Sequence, residues 1–211
     1  MQESATLNPS LDAPQAADAI IRVEKIEKYY AQPSQNRIQV ISATDVNIVP
    51  GEILALLGPS GSGKSTMLRM LTGLSKPTAG QVYWHGKPIA EAEINVSIVF
   101  QSFALFPWLT VLENVEAPLQ ARGAAPAERR ERSMKMLDMV GLDGFEAAYP
   151  KELSGGMRQR VGFARALVVE PEVLFMDEPF SALDVLTAEN LRSELLELWT
   201  RRRCRRRPYS W

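Results

Sequence analysis

Eight consecutive residues have the types and the spacing needed to hold the phosphates of a nucleotide. They match the pattern G-x-x-x-x-G-K-[ST] and are Gly58, Pro59, Ser60, Gly61, Ser62, Gly63, Lys64 and Ser65. Glycines let backbone N–H groups turn toward phosphate oxygens, and the positive end of a following helix faces the same anion. Lys64 would reach the β- and γ-phosphates, and the Ser65 hydroxyl would ligate Mg²⁺. The pattern predicts a nucleoside triphosphate site; the alternative is a glycine turn without a ligand.

Two adjacent acidic residues, Asp177 and Glu178, follow the apolar run Val173–Met176. Such a run is typical of a strand buried in a parallel sheet. Two carboxylates at its end are unfavourable unless they meet a cation or a substrate. We therefore predict that Asp177 holds Mg²⁺ through its water shell and that Glu178 orients or deprotonates the attacking water. The alternative is an acidic region at the start of a helix.

A second glycine-containing helix start lies at Ser154, Gly155 and Gly156, ahead of a helix predicted over Val161–Leu167. A serine before two glycines repeats the anion-binding arrangement of the phosphate loop. Since one nucleotide needs one cradle, the second cradle suggests a nucleotide held by another copy of the chain. The alternative is a serine cap with a glycine turn and no ligand.

The elements that must position these residues alternate between strand and helix patterns. Ile53–Leu57 predicts a buried strand before the phosphate loop, and Thr66–Leu71 predicts the first turns of a helix that reaches about Leu74. Between residues 110 and 150 the apolar spacing is helical, which predicts a helical insertion interrupted at Gly123 and Pro126. The remaining strands, the first three of them in an antiparallel sheet, are predicted at residues 20–26, 38–41, 44–49, 81–84 and 94–100.

In chain order these motifs resemble those of the ATP-binding-cassette (ABC) ATPases, over about residues 20–200. The resemblance implies an α/β P-loop NTPase fold with a RecA-like parallel sheet core, an antiparallel β subdomain and a helical subdomain inserted at about residues 102–165. It also implies that the C-terminal part of the core is missing. The stretches that carry it are Gly58–Thr66, Gln101, Leu153–Gln159, Leu174–Pro179 and Ser181–Asp184.

The same resemblance implies ATP and Mg²⁺ as ligands of a head-to-tail dimer of two identical copies. Two ATP molecules would each lie between the phosphate loop of one copy, including Thr66, and Ser154–Gly156 of the other. Asp184 would lie at the dimer seam.

Three further roles follow from the resemblance. Gln101 would contact Mg²⁺, sense the γ-phosphate and relay its presence to a transport partner. Glu178 would be the general base, with Lys64 assisting catalysis. Tyr30 would stack on the adenine, with Tyr29 as the alternative.

Within the superfamily, the stretches Phe100–Val111, Leu153–Arg160 and Glu178–Asp184 resemble importers of nitrate, sulfonate, taurine and bicarbonate. In such importers an apolar cluster after the glutamine, here within Phe103–Trp108, receives a membrane permease subunit. The alternative is that these side chains belong to the local core. A solute-binding protein would take part indirectly, and no nucleic acid partner is expected. The implied location is cytoplasmic, on the inner face of the cell membrane.

The composition suits a soluble globular domain, with 45% hydrophobic and 23% charged residues. A single cysteine, Cys204, excludes a disulfide within the chain, and a single histidine, His85, excludes a cluster of histidine ligands. No apolar run approaches the roughly 20 residues that a membrane-spanning helix requires.

Both termini differ in composition from the body of the chain. Residues 1–19 predict a disordered leader. Residues 201–211 begin with six arginines among seven residues, without which the net charge of −1 becomes −7. Because this tail interrupts an amphipathic helix predicted over residues 186–199, we interpret it as aberrant; the alternative is a selected basic tail.

The family places a γ-phosphate-binding histidine some tens of residues after Asp184, beyond the end of this chain, and His85 comes too early to replace it. We therefore expect weak or absent hydrolysis and lowered stability for this polypeptide. The alternative function is a nucleotide-binding module with little or no turnover.

Overall fold

The computed structural model describes residues 19–31, 37–181, 185–186, 188–193 and 196–197. The predicted leader, apart from Ala19, and the arginine-rich tail lie outside the described residues. The chain forms two compact units, an N-terminal unit (Met1–Ile94) and a C-terminal unit (Asn95–Trp211). Within the part of the chain that is described, no helix has the length and apolarity to cross a bilayer.

The N-terminal unit contains a four-stranded antiparallel sheet in the order β2-β1-β3-β4. The strands are β1 (Ile21–Ala31), β2 (Arg37–Ile48), β3 (Ala79–Trp84) and β4 (Lys87–Pro88). The antiparallel prediction is thus confirmed. The two strands predicted at 38–41 and 44–49 form a single strand, because the backbone keeps pairing with β1 through several register shifts.

The core of the N-terminal unit lies on one face of this sheet. Ile21, Val23 and Ile26 of β1 are 0–2% exposed, and Val82 of the neighbouring β3 is fully buried. The spacing between buried residues of β1 changes from two to three after Val23, because the register of the strand shifts between Val23 and Ile26. Helix α1 (Lys64–Leu71) contributes a fully buried methionine, Met70.

The segment before the phosphate loop contradicts the sequence prediction. Residues 53–57 belong to neither sheet, and all five are exposed, with Leu57 93% and Ile53 73% exposed. A strand needs backbone partners on a neighbouring strand. Since the described strands offer this segment no such pairing, its apolar side chains are not buried, and the prediction of a buried strand is wrong.

The C-terminal unit combines several helices with a two-stranded parallel sheet. The helices include α2 (Val111–Ala121), α3 (Pro126–Met139) and α4 (Gly155–Leu167), so the helical pattern between 110 and 150 is observed, with its interruption at Gly123–Pro126. Strand β5 (Val96–Val99) pairs in parallel with β6 (Val173–Met176). The described residues at 185–186, 188–193 and 196–197 are helical, as predicted for 186–199.

The parallel pairing of β6 was expected, but the burial of all four residues was not observed. Only Phe175 is buried, and Met176 is 39% exposed. Because the described parallel sheet has two strands, each of them lies at an edge rather than in a sheet interior. The core of this unit comes instead from the helices, through fully buried residues such as Val115, Leu137 and Leu167.

Candidate nucleotide-binding site

The phosphate loop lies in the N-terminal unit and is closed by its own lysine. The Nζ atom of Lys64 donates hydrogen bonds to the carbonyl oxygens of Gly58 (3.0 Å) and Pro59 (3.1 Å). Helix α1 begins at Lys64 without a side-chain cap, after Gly63. The loop thus combines a lysine ammonium with an uncapped helix N-terminus, and both favour an anion. The residues present therefore fit a phosphate group.

Strand β2 supports this loop from one side. Gly63 has a positive φ of 95°, and a Cβ atom there would lie 2.6 Å from Ile41 Cδ1 and 3.0 Å from the Val40 carbonyl oxygen. Only glycine satisfies both the backbone conformation and the close approach of β2. Gly61 also has a positive φ, of 81°, but open space surrounds it.

The acidic pair lies at the carboxyl end of β6 in the C-terminal unit. The Asp177 N–H donates to the carbonyl oxygen of Val99 at 3.0 Å, which continues the pairing between β6 and β5. Gln101 follows the end of β5 by two residues, so Gln101 and Asp177 lie at the same edge of the parallel sheet. Both predicted Mg²⁺ ligands therefore belong to the same unit, and their binding of the ion remains a prediction.

Glu178 is exposed and has a strained backbone. Its φ of 46° lies in the left-handed region, which is unfavourable for a residue with a Cβ atom. Its carbonyl oxygen accepts hydrogen bonds from Ser181 N (3.2 Å) and Ser181 Oγ (2.9 Å), which stabilise the bend. Strain of this kind is found preferentially at functional sites.

The predicted second cradle is the start of helix α4, which begins at Gly155, six residues earlier than predicted. The Ser154 Oγ atom accepts a hydrogen bond from Met157 N at 3.2 Å, so Ser154 is the helix cap. Beside it lies an open pocket of about 340 Å³ lined by Gly141, Leu142, Phe145, Ser154, Gly156, Met157 and Arg160. The serine cap that the sequence left as the alternative is therefore present. Binding of an anion at this helix start remains a prediction.

The residues after Gln101 divide between core and surface. Leu105 packs against the hydrophobic core of the C-terminal unit, whereas Phe106 and Trp108 are 39% and 70% exposed. The two exposed rings lie 5.8 Å apart. The core alternative is thus confirmed for Leu105, whereas a permease contact at the exposed Phe106 and Trp108 remains a prediction.

Sequence reasoning missed the residue that organises this loop, Asn114 of α2. It is fully buried; its Oδ1 accepts from Phe106 N (2.8 Å), and its Nδ2 donates to the carbonyl oxygens of Phe106, Leu109 and Thr110. The sequence could have indicated this role, because Asn114 is a polar residue within the apolar stripe that contains Val111 and Val115. A polar residue at such a position needs buried partners.

Similarity to known proteins identifies the family of this chain. The profile of the family described as ABC transporter matches residues 41–181. The chain belongs to this family. It is 38% identical to the ATP-binding cassette MJ0796 in a dimeric post-hydrolysis structure bound to ADP and Pi; the match covers 84% of this chain and 82% of that one, with a TM-score of 0.75. The P-loop cassette fold is therefore established.

Three curated relatives show what kinds of ABC protein this chain resembles. It is 44% identical to an uncharacterized ABC transporter ATP-binding protein of Methanocaldococcus jannaschii, over 85% of this chain and 67% of that protein. It is 45% identical to the nitrate import ATP-binding protein NrtD of Synechocystis, over 80% of this chain and 64% of that protein. It is 41% identical to the glycine betaine transport ATP-binding protein OpuAA of Bacillus subtilis, over 84% of this chain and 49% of that protein. The chain thus spans between about half and two thirds of the length of these relatives.

Two predicted contacts of this ABC protein remain predictions. Tyr30 is 46% exposed at the end of β1, with Lys28 Nζ 5.3 Å from its ring centre. The hydrogen bond with Glu27 raises the pKa of the neighbouring Tyr29. Asp184 lies outside the described residues.

Replacing Gly63 with alanine should destabilise the N-terminal unit more than replacing Gly61 with alanine. A positive φ costs an alanine about 1–2 kcal/mol at either position, but only at Gly63 does the new methyl group meet the backbone of β2. Urea unfolding followed by circular dichroism measures the difference, which we expect to be at least ~1 kcal/mol. Equal midpoints for the two variants would show that β2 does not hold the loop.

Substitutions at Ser154 separate the two readings of the α4 N-terminus. Alanine removes the cap, which should cost about 1 kcal/mol, whereas aspartate keeps the cap but adds a negative charge. If α4 binds a nucleotide held by a second copy, Ser154→Asp should retain stability in urea yet lose ATP-dependent dimerisation in sedimentation experiments. Normal dimerisation of Ser154→Asp would leave the residue with a capping role alone.

Proposed function

We propose that the chain is the ATP-binding and ATP-hydrolysing subunit of an ABC importer, which energises uptake of a small anion such as nitrate, sulfonate, taurine or bicarbonate through partner membrane subunits. The observation that carries the proposal is the phosphate loop, in which Lys64 closes a glycine turn at an uncapped helix N-terminus. The family assignment gives this loop its context.

The names of relatives support an importer and leave its solute open. Besides the nitrate protein, the chain is 41% identical to the bicarbonate transport protein CmpD of Synechocystis and 42% identical to the aliphatic sulfonates import protein SsuB of Bacillus subtilis. The similarity to a glycine betaine transport protein extends the range of candidate solutes beyond anions.

The chain's oxygen ligands suit magnesium. Ser65 offers a hydroxyl, Gln101 an amide oxygen and Asp177 a carboxylate, and hard oxygen donors are what Mg²⁺ prefers. When bound, the ion neutralises charge that develops on the phosphate oxygens. Lys64 would hold the β- and γ-phosphates, and Glu178 would accept a proton from the attacking water. Positioning and charge neutralisation would account for most of the rate acceleration.

The proposed working unit is a head-to-tail dimer. Ser154, Gly155 and Gly156 of one copy would complete the site formed by the phosphate loop of the other, with Tyr30 against the adenine and Asp184 at the seam. The dimeric structures of MJ0796, at 37–38% identity, support this arrangement.

The exposed pair Phe106 and Trp108 is the proposed contact for a membrane permease subunit. Large apolar side chains that are exposed side by side are typical of interaction surfaces. Contact there would place the chain peripherally on the cytoplasmic face of the membrane, with a solute-binding protein acting indirectly.

A second candidate is a nucleotide-binding module with little or no turnover. The exposed segment 53–57 favours it, because the phosphate loop then lacks a strand support on its N-terminal side. Hydrolysis needs more precise positioning of the reacting groups than binding does. Loss of that support would therefore lower the rate of hydrolysis more than the affinity for ATP.

The test is to measure ATP binding by isothermal titration and phosphate release by the same preparation, each with and without Mg²⁺. Binding together with phosphate release supports the first candidate, and binding without release supports the second. Failure of the full chain to bind ATP at millimolar concentration would contradict both.

A further inference from the structure

The loop after Gln101 contains an unusual bend of two consecutive residues. Phe103 (φ 61°) and Ala104 (φ 47°) both have left-handed backbones, although neither is a glycine. Such conformations persist only where surrounding contacts hold them. The bend is short and internally bonded, with Ala104 N donating to the Ser102 carbonyl oxygen at 2.7 Å and Phe103 N to the Phe100 carbonyl oxygen at 3.1 Å.

The contact that holds this bend comes from Arg165, more than 60 residues later in the chain. Its Nη1 donates to the carbonyl oxygen of Ala104 (2.6 Å) and its Nη2 to the carbonyl oxygen of Phe103 (2.8 Å). A planar guanidinium can donate to two adjacent acceptors at once, which an ammonium group cannot do with the same geometry. The Cζ atom also lies 5.7 Å from the ring centre of Phe106. Burial lowers the pKa of Arg165, yet an arginine remains charged at neutral pH.

The bend therefore lies against one face of helix α4. Arg158, Gly162 and Arg165 are spaced by four and three residues, so they lie on the same side of the helix. Arg158 Cζ is 6.0 Å from the ring centre of Phe103, and a Cβ atom at Gly162 would contact the Phe103 carbonyl oxygen at 3.8 Å. Arg158 also donates to the carbonyl oxygen of Leu153 at 2.7 Å, directly before the Ser154 cap.

We propose that Arg165 is a positioning residue whose guanidinium fastens the bend at Phe103–Ala104 to helix α4, so that Gln101 and the exposed Phe106 and Trp108 move together with the helix that begins at Ser154. One continuous helix joins the candidate nucleotide contact at its N-terminus to the loop near its C-terminus. A displacement of the helix at one end would therefore move the contacts at its other end as well, because helix α4 is a rigid element. This role rests on the proposed function, because it gives Gln101 a nucleotide to sense.

Hydrogen exchange followed by mass spectrometry tests the proposal on the full chain. The variants are Arg165→Met, which removes both donors, and Arg165→Lys, which keeps the charge but loses the fork. The matched control is Arg132→Met, since Arg132 also donates to a backbone carbonyl oxygen of this unit, that of Val168 at 2.8 Å. Circular dichroism establishes that each variant is folded.

In Arg165→Met we expect at least tenfold faster exchange in peptides covering residues 102–106, with a smaller effect in Arg165→Lys and none in Arg132→Met. Adding Ala104→Gly to Arg165→Met should restore part of the protection, because glycine holds a positive φ without steric cost. Simple loss of stability would not be rescued in this way. Unchanged exchange in Arg165→Met, or equal acceleration throughout α2 and α4, would overturn the proposal.

The second arm adds Mg·ATP. In the unsubstituted chain, ATP should change the exchange of residues 100–106; in Arg165→Met, this change should disappear while the ATP affinity stays within twofold. Survival of the change in Arg165→Met would overturn the linkage between loop and helix. Failure of the unsubstituted chain to bind ATP would instead overturn the proposed function and, with it, the linkage to nucleotide.

Discussion

Replacement of Lys64 by methionine is expected to lower the affinity of the chain for Mg·ATP about 100-fold, which corresponds to ~3 kcal/mol. The Lys64 ammonium donates to the carbonyl oxygens of Gly58 and Pro59, where phosphate oxygens would be stronger acceptors because they are charged. Methionine has similar bulk but offers neither a charge nor a donor. Isothermal titration or displacement of a fluorescent nucleotide measures the change.

The control for Lys64→Met is Lys87→Met, which removes the same charge from an exposed position on β4 of the same unit. This variant should bind Mg·ATP within twofold of the unsubstituted chain. A similar loss of affinity in both variants would mean that net charge, rather than the loop, determines binding. Retained affinity in Lys64→Met would refute the phosphate site itself.

Replacement of Glu178 by glutamine is expected to lower phosphate release about 100- to 10,000-fold, the usual contribution of a general base, while ATP affinity is retained. The amide has the shape of the carboxylate but cannot accept a proton from water. Since the Glu178 backbone is held by Ser181, the substitution should not alter the bend. Single-turnover measurements with excess protein detect even slow release.

The matched control is Glu172→Gln, an exposed glutamate just before the other end of β6. It should release phosphate at the rate of the unsubstituted chain. Equal release by Glu178→Gln and the unsubstituted chain would remove Glu178 from the mechanism. If the unsubstituted chain binds ATP but releases no phosphate, the module without turnover becomes the better description.

The Lys64 and Glu178 substitutions should have different consequences because the two side chains have different proposed roles. Lys64 lies in the N-terminal unit with the whole phosphate loop, whereas Glu178 lies in the C-terminal unit with Gln101 and Ser154. The proposed role of Lys64 is to hold phosphate oxygens, whereas that of Glu178 is to accept a proton from water. We therefore expect the two substitutions to separate affinity from turnover cleanly.

Short-range patterns were sufficient to predict the elements of the candidate site, although not the first residues of its helices. The helix after the phosphate loop, the helix after Ser154 and the acidic pair after β6 each depend on a few neighbouring residues. The two helices begin two and six residues earlier than predicted, at Lys64 and Gly155. Their backbone conformations follow from glycine freedom, side-chain capping and strand alternation, which a sequence displays directly. For the same reason the parallel pairing of β6 could be predicted from its apolar run.

Contacts between distant residues could not be predicted in this way. The apolar run Ile53–Leu57 met every local criterion for a buried strand, yet burial depends on partners that only the tertiary structure supplies. The hydrogen bonds that hold the loop after Gln101 could not be predicted for the same reason, since Arg165 and its two carbonyl acceptors lie more than 60 residues apart in the sequence.

By itself, the sequence determined that this protein carries a phosphate-loop motif, an acidic pair and a serine followed by two glycines before a helix, because each is a local arrangement of neighbouring residues. Only the tertiary structure decided which apolar side chains are buried, that Phe106 and Trp108 are exposed, and that Arg165 holds the loop after Gln101. Burial and long-range hydrogen bonds depend on which segments meet, and segment pairing is a property of the whole fold.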